Sequence, residues 1–88
     1  MRTVKTTKKF DKTLVEFLAH HPELILKTEH TIAKITRNPF DQSLKTHKLS
    51  GQLRYMYAAS ITYSYRILFI CSPEEICFVN IGSHDDLY

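Results

Sequence analysis

The 88-residue sequence lacks any apolar run long enough to span a membrane. It also lacks a secretory opening, since Met1–Lys12 is polar and basic where a signal peptide needs an apolar stretch. The expected location is therefore the cytoplasm, with no membrane partner. Cysteine is scarce. Cys71 and Cys77 have no second pair beside them, which makes them a poor zinc site. They flank the turn Ser72-Pro73-Glu74-Glu75-Ile76 and could face each other across a hairpin, but free thiols are the usual cytosolic state. No internal repeat or low-complexity tract interrupts the chain. The expectation is one domain over residues 1–88, large enough to fold without staples. Strong charge bias is missing too. A formal net charge of +3 and a pI near 9.0 favour polyanionic partners but are too mild to establish one.

What the sequence does contain is Ser60–Ile70, SITYSYRILFI, its longest run of β-branched and aromatic residues. This composition predicts a central strand. Alternation puts Ile61, Tyr63, Tyr65, Ile67 and Phe69 on a core face, and Thr62, Ser64, Arg66, Leu68 and Ile70 on the other. A guanidinium in mid-strand is costly to bury unpaired. Arg66 therefore has a fixed acidic partner, or it lines a groove that receives an anion.

Around this strand the chain reads as α+β. Arg2–Lys5 is a short candidate strand, and Thr6 or Thr7 can cap the helix that follows. Phe10, Leu14, Phe17 and Leu18 share one face of a helix over Lys8–His20. Pro22 suits the first turn of a second helix with a stripe of Leu24, Ile25, Thr28, Ile32 and Ile35, stopped by Asn38-Pro39. Phe40–Gly51 has no period and is expected to be a connecting loop. Gln52–Tyr57 opens the first strand of a meander, and Ile76–Ile81 is the last strand, broken by Gly82. Its mixed apolar pattern suggests burial on both faces near its end. The expected architecture is a short N-terminal strand and an antiparallel helix hairpin on one face of a mostly antiparallel four-stranded sheet. No element remains to cover the opposite face, where Arg66 should point.

The order helix, helix, HKLSG (His47–Gly51), YRILF (Tyr65–Phe69) and IGSHDDLY (Ile81–Tyr88) resembles the RelE/ParE toxin superfamily, and is most similar to its RelE and YafQ-like messenger RNA interferase branch. The resemblance covers nearly the whole chain. It implies a RelE-like fold and the toxin of a type II toxin–antitoxin system. It also implies a ribosome-dependent endoribonuclease whose partners are an antitoxin, the ribosome and mRNA. The chemistry implied is attack of a ribose 2′-OH on the adjacent phosphate, with neither metal nor cofactor. That reaction needs a base, an acid and fixed positive charge at the phosphorus.

By this resemblance Arg66 matches the strand arginine, whose fork grips a phosphate. The alternative is an ion pair with Asp85, Asp86 or a glutamate. His84 matches a C-terminal histidine, and His47 a loop histidine. Each is a proton-transfer candidate or an inert surface imidazole. Tyr88 matches the terminal aromatic, which stacks on a base, donates its hydroxyl or plugs the sheet edge. Lys45, Lys48 and Arg54 would attract phosphate. RelE relies on lysines and arginines, whereas this chain is richer in histidine, so His47 and His84 are the inferred proton carriers. Where YafQ-like members often carry an acidic residue, this chain has Tyr63, Ser64 and Tyr65. His20, His21 and His30 lie on the helices and are given no role. Two other functions fit the same fold: a ParE-like inhibitor of DNA gyrase, or a degenerate, non-catalytic antitoxin-binding module.

Overall fold

A computed structural model describes residues 2–88. Thr3–Thr6 forms β1, and Lys8–His20 forms α1. The Thr7 hydroxyl accepts the Phe10 amide at 3.0 Å and so caps α1, while donating to the Val79 carbonyl at 3.2 Å. One side chain thus starts the helix and ties it to the sheet. Thr7→Ala should cost about 1–2 kcal/mol of stability, measured by denaturant unfolding; a loss below a few tenths would mean that water replaces the cap.

A short 3₁₀ turn over Pro22–Leu24 leads into α2, Ile25–Arg37. The buried residues of α2 are Thr28, Thr31 and Ile35, whereas Ile25, in its first turn, is exposed.

The sheet has five strands rather than four, in the order β1-β5-β4-β3-β2. The additional strand, β2, is the pair His47–Lys48, inside the stretch expected to be loop. Two residues are too few to show a period, and only pairing with β3, Tyr57–Ser60, makes them a strand. β3 is preceded by a 3₁₀ turn at Gly51–Leu53 rather than by a strand from Gln52. The expected central strand divides in two. Ser60 ends β3, residues 61–64 make a bend, and β4 runs Tyr65–Cys71. Tyr63 is consequently at the tip of a loop and not in the core. β5 covers Glu75–Ser83 and passes straight through Gly82. β1 pairs with β5 in parallel, and the remaining neighbours are antiparallel.

A register shift at Leu68/Phe69 leaves Val79 as the extra residue of a bulge in β5. Ile76 and Phe78 precede it in the core, and Ile81 follows it there. The mixed apolar pattern has two causes: the change of parity at the bulged residue, and cover on the opposite face near the strand's end, where Val79 packs beside Leu68 and Leu87 and Gly82 is buried next to Ile81. Aromatic rings link the layers. Phe10 stacks on Phe78 at 5.3 Å, and Phe69 lies 6.5 Å from Phe78 and 5.8 Å from Tyr57. Cys71 joins this helix-side core and pairs with Ile76, while Cys77 pairs with Ile70 on the next row and so faces the other way. Both thiols are free, on opposite faces of the hairpin.

The sheet face away from the helices is not bare. The chain end forms a short helix, α3, over His84–Leu87. Its Leu87 packs on Ala58 and Leu68, with Leu49, Met56 and Val79 beside them. The polar tail Ser83-His84-Asp85-Asp86 hid a helix whose only apolar anchor is one leucine.

Candidate active site

Sheet register brings together residues far apart in sequence. Arg66 pairs with Ser60 on β3 and with Gly82 on β5. Its neighbours Tyr65 and Ile67 belong to the helix-side core, so Arg66 projects from the other face. His47 pairs with Ala58, and Ala58 with Leu68, two residues along from Arg66. His47 and Arg66 therefore share a face, with Cα atoms about 12 Å apart by strand spacing and rise.

The third group arrives on α3. Ser83 caps this helix: its hydroxyl accepts the Asp86 amide at 3.2 Å, and the Asp86 carboxylate accepts the Ser83 amide at 3.2 Å. His84 sits inside this reciprocal box as the first helical residue. A Cβ on Gly82 would lie 3.1 Å from the Asp86 Cβ, so glycine lets α3 fold close over β5. The Tyr88 amide donates to the His84 carbonyl at 3.1 Å, and the two rings meet edge-on at 4.5 Å. The S-x-x-D spacing of Ser83 and Asp86 is a capping signature visible in the sequence, and it is the signal that could have found α3.

His47, Lys48, Arg66, His84 and Tyr88 line one open groove of about 370 Å³, with Leu49, Ser50 and Leu53 completing its wall. Two of the residues expected here are elsewhere. Arg54 stacks over the Tyr55 ring at 4.6 Å and donates to its hydroxyl at 3.1 Å. Lys45 adopts a left-handed backbone (φ 51°) at the end of a 3₁₀ turn over Gln42–Leu44. It meets the site through its main chain. When His47 carries its proton on Nδ1, that nitrogen donates to the Lys45 carbonyl at 3.3 Å and Nε2 is the basic atom. His20 and His21 line a separate depression beside α1.

The electrostatics centre on Arg66. Its Nε is buried and has no hydrogen-bond partner among the described residues. Among the described residues no carboxylate lies within 4.0 Å of its guanidinium. The ion pair with Asp85, Asp86 or a glutamate is not formed, and Asp86 is engaged by Ser83. A buried unpaired donor is a standing cost, relieved by an acceptor that enters the groove.

The hydroxyl of Ser83, and then its amide, hold the Asp86 carboxyl below the usual carboxylate range. The depressed pKa sets the sign. The box contributes stability above the unfolded-state pKa and loses it as pH falls through the folded value. The Asp86 side-chain carboxyl resonance should therefore stay at its ionised position from neutrality down through pH 5 and move only in stronger acid. A carboxyl resonance that titrates at or above the usual carboxylate range would mean that the Ser83 box does not hold it.

No family model and no curated protein sequence matches the chain. Solved structures do. YafQ from E. coli strain BL21(DE3) is 16% identical with a TM-score of 0.87, covering 100% of this chain and 99% of that one. The E. coli DinJ-YafQ toxin-antitoxin complex contains a chain that is 16% identical at 0.84, covering 99% and 97%. The YoeB dimer from Staphylococcus aureus is 17% identical at 0.71, covering 94% and 97%. This chain therefore has the RelE-like fold, shared along its whole length with YafQ and over most of it with YoeB.

Proposed function

We propose that the protein is the toxin of a type II toxin–antitoxin system and acts as an endoribonuclease on mRNA in the ribosome. The observation that carries this reading is an unpaired guanidinium facing a groove that two imidazoles also line. The YafQ-like resemblance of the motifs and the RelE-like fold support it, and the DinJ-YafQ complex is the precedent for an antitoxin partner.

In this reading one imidazole takes the 2′-OH proton and the O2′–P bond forms. The other gives a proton to O5′ as the P–O5′ bond breaks. The products are a 2′,3′-cyclic phosphate and a 5′-hydroxyl. Arg66 stabilises the charge that develops on the phosphoryl oxygens. Lys48 adds attraction for the backbone from the groove wall, and Lys45 and Arg54 do so from outside it. Tyr88 either stacks on a base or steadies His84 edge-on.

The test is inducible expression with mapping of cellular mRNA ends during growth arrest. Cuts confined to translated frames and abolished when translation is blocked are expected. Cuts that persist without translation remove the ribosome from the mechanism. DNA damage without RNA cuts selects gyrase, and no growth effect selects the non-catalytic module.

A further inference from the structure

Beyond Arg66 the surface opens into a second depression of about 350 Å³, lined by Tyr63, Ser64, Arg66, Ser83, His84 and Asp85. Arg66 and His84 belong to both concavities and form the wall between them. Tyr63 is 94% exposed, the most exposed of the large apolar side chains described. Its loop is nonetheless well held. Ile61 is buried and its amide donates to the Tyr65 carbonyl at 2.9 Å, while the Ser64 amide donates to the Thr62 hydroxyl at 3.1 Å. An aromatic ring is thus presented to solvent on a fixed pedestal, three residues from the guanidinium.

The two concavities differ in charge. The groove carries Arg66, Lys48 and the imidazoles. The second depression adds Asp85, which has no ion-pair partner among the described residues. A carboxylate repels phosphate and accepts from a base edge. We infer that the second depression is a nucleobase subsite, in which the base beside the bound phosphate stacks on Tyr63 and turns an amino-bearing edge to Asp85. Cytosine, adenine and guanine each carry an exocyclic amino group, and uracil offers a carbonyl in its place. The subsite therefore disfavours uracil. The inference rests on Arg66 being the phosphate-binding group of the proposed function.

The test uses 2′-O-methyl trinucleotides, which cannot be cleaved, differing only in cytosine or uracil at one position. Each is titrated into the ¹⁵N-labelled protein. Shifts at Tyr63, Ser64 and Asp85 are expected, with cytosine bound more tightly than uracil. Tyr63→Ala should weaken binding about 5–150-fold, the range for loss of one base–aromatic stack, and Tyr63→Phe should retain it. Asp85→Ala should abolish the preference for cytosine. Shifts at Arg66 and His84 with none at Tyr63 overturn the subsite and leave phosphate binding standing. No shifts in either concavity overturn both. Cleavage by programmed ribosomes at rates indifferent to Tyr63→Ala and Asp85→Ala overturns the subsite alone.

Discussion

Under the proposed function, Arg66→Ala should slow RNA cleavage about 10²–10³-fold, equivalent to about 2.7–4 kcal/mol of transition-state stabilisation, and leave the protein folded. The two halves of this expectation have separate causes. A phosphorus under attack gathers negative charge on its free oxygens, and a guanidinium fork matches two of them. Arg66 stands on β4 with backbone partners on both sides, so the sheet fixes its Cα and the face from which its side chain projects. The fold should survive because, among the described residues, the side chain has no polar partner: its buried Nε is unpaired and no carboxylate is in reach. Removing an orphaned donor should change stability by less than about 1 kcal/mol. Arg66→Lys keeps the charge without the fork and should fall between wild type and alanine. Single-turnover cleavage on programmed ribosomes and thermal melting measure the two halves. A variant that melts far below the wild type would make Arg66 a structural residue. Unchanged cleavage in a folded variant would place the anion site elsewhere.

The parts of the fold that were legible in the sequence are those governed by local rules. Phe10, Leu14, Phe17 and Leu18 repeat at helical spacing, and all four pack in or against the helix-side core. Thr7 is one of the two caps expected for α1, and it is the one used. The strand run was found through its β-branched and aromatic residues, but its ends were not. Ile61-Thr62-Tyr63-Ser64 has strand composition and still bends, because the Thr62 hydroxyl and the Tyr65 carbonyl take up its amides. Tyr63, assigned to the core by alternation, is exposed for that reason. What stayed illegible depends on partners distant in the chain. His47–Lys48 is a strand only by pairing with β3, and the β5 bulge is defined only against β4. The site is legible in the same measure. Arg66 stands out in the sequence by the cost of burying a charge, and among the described residues no acidic partner offsets that cost. That His47 and His84 line the same groove follows from register and from the capped α3, neither of which has a periodic signal.

The second large effect concerns α3. His84→Gln should lower the cleavage rate about 10²–10⁴-fold, the range for losing a positioned proton-transfer group. Glutamine keeps polar atoms near the imidazole nitrogens but cannot cycle a proton at neutral pH. The substitution should spare the helix. His84 is exposed at its first position, and the Ser83–Asp86 box that holds it uses no His84 side-chain atom. The pH dependence assigns the role. With one imidazole as base and one as acid, the wild-type rate should be bell-shaped in pH. If His84 is the acid, it must be protonated to act, and its loss removes the alkaline fall. If it is the base, its loss removes the acidic fall. His47→Gln should then remove the opposite limb. A bell that survives His84→Gln at full rate would return the proton chemistry to the lysines, and His84 would be no more than the capped start of the helix that carries Tyr88 to the groove.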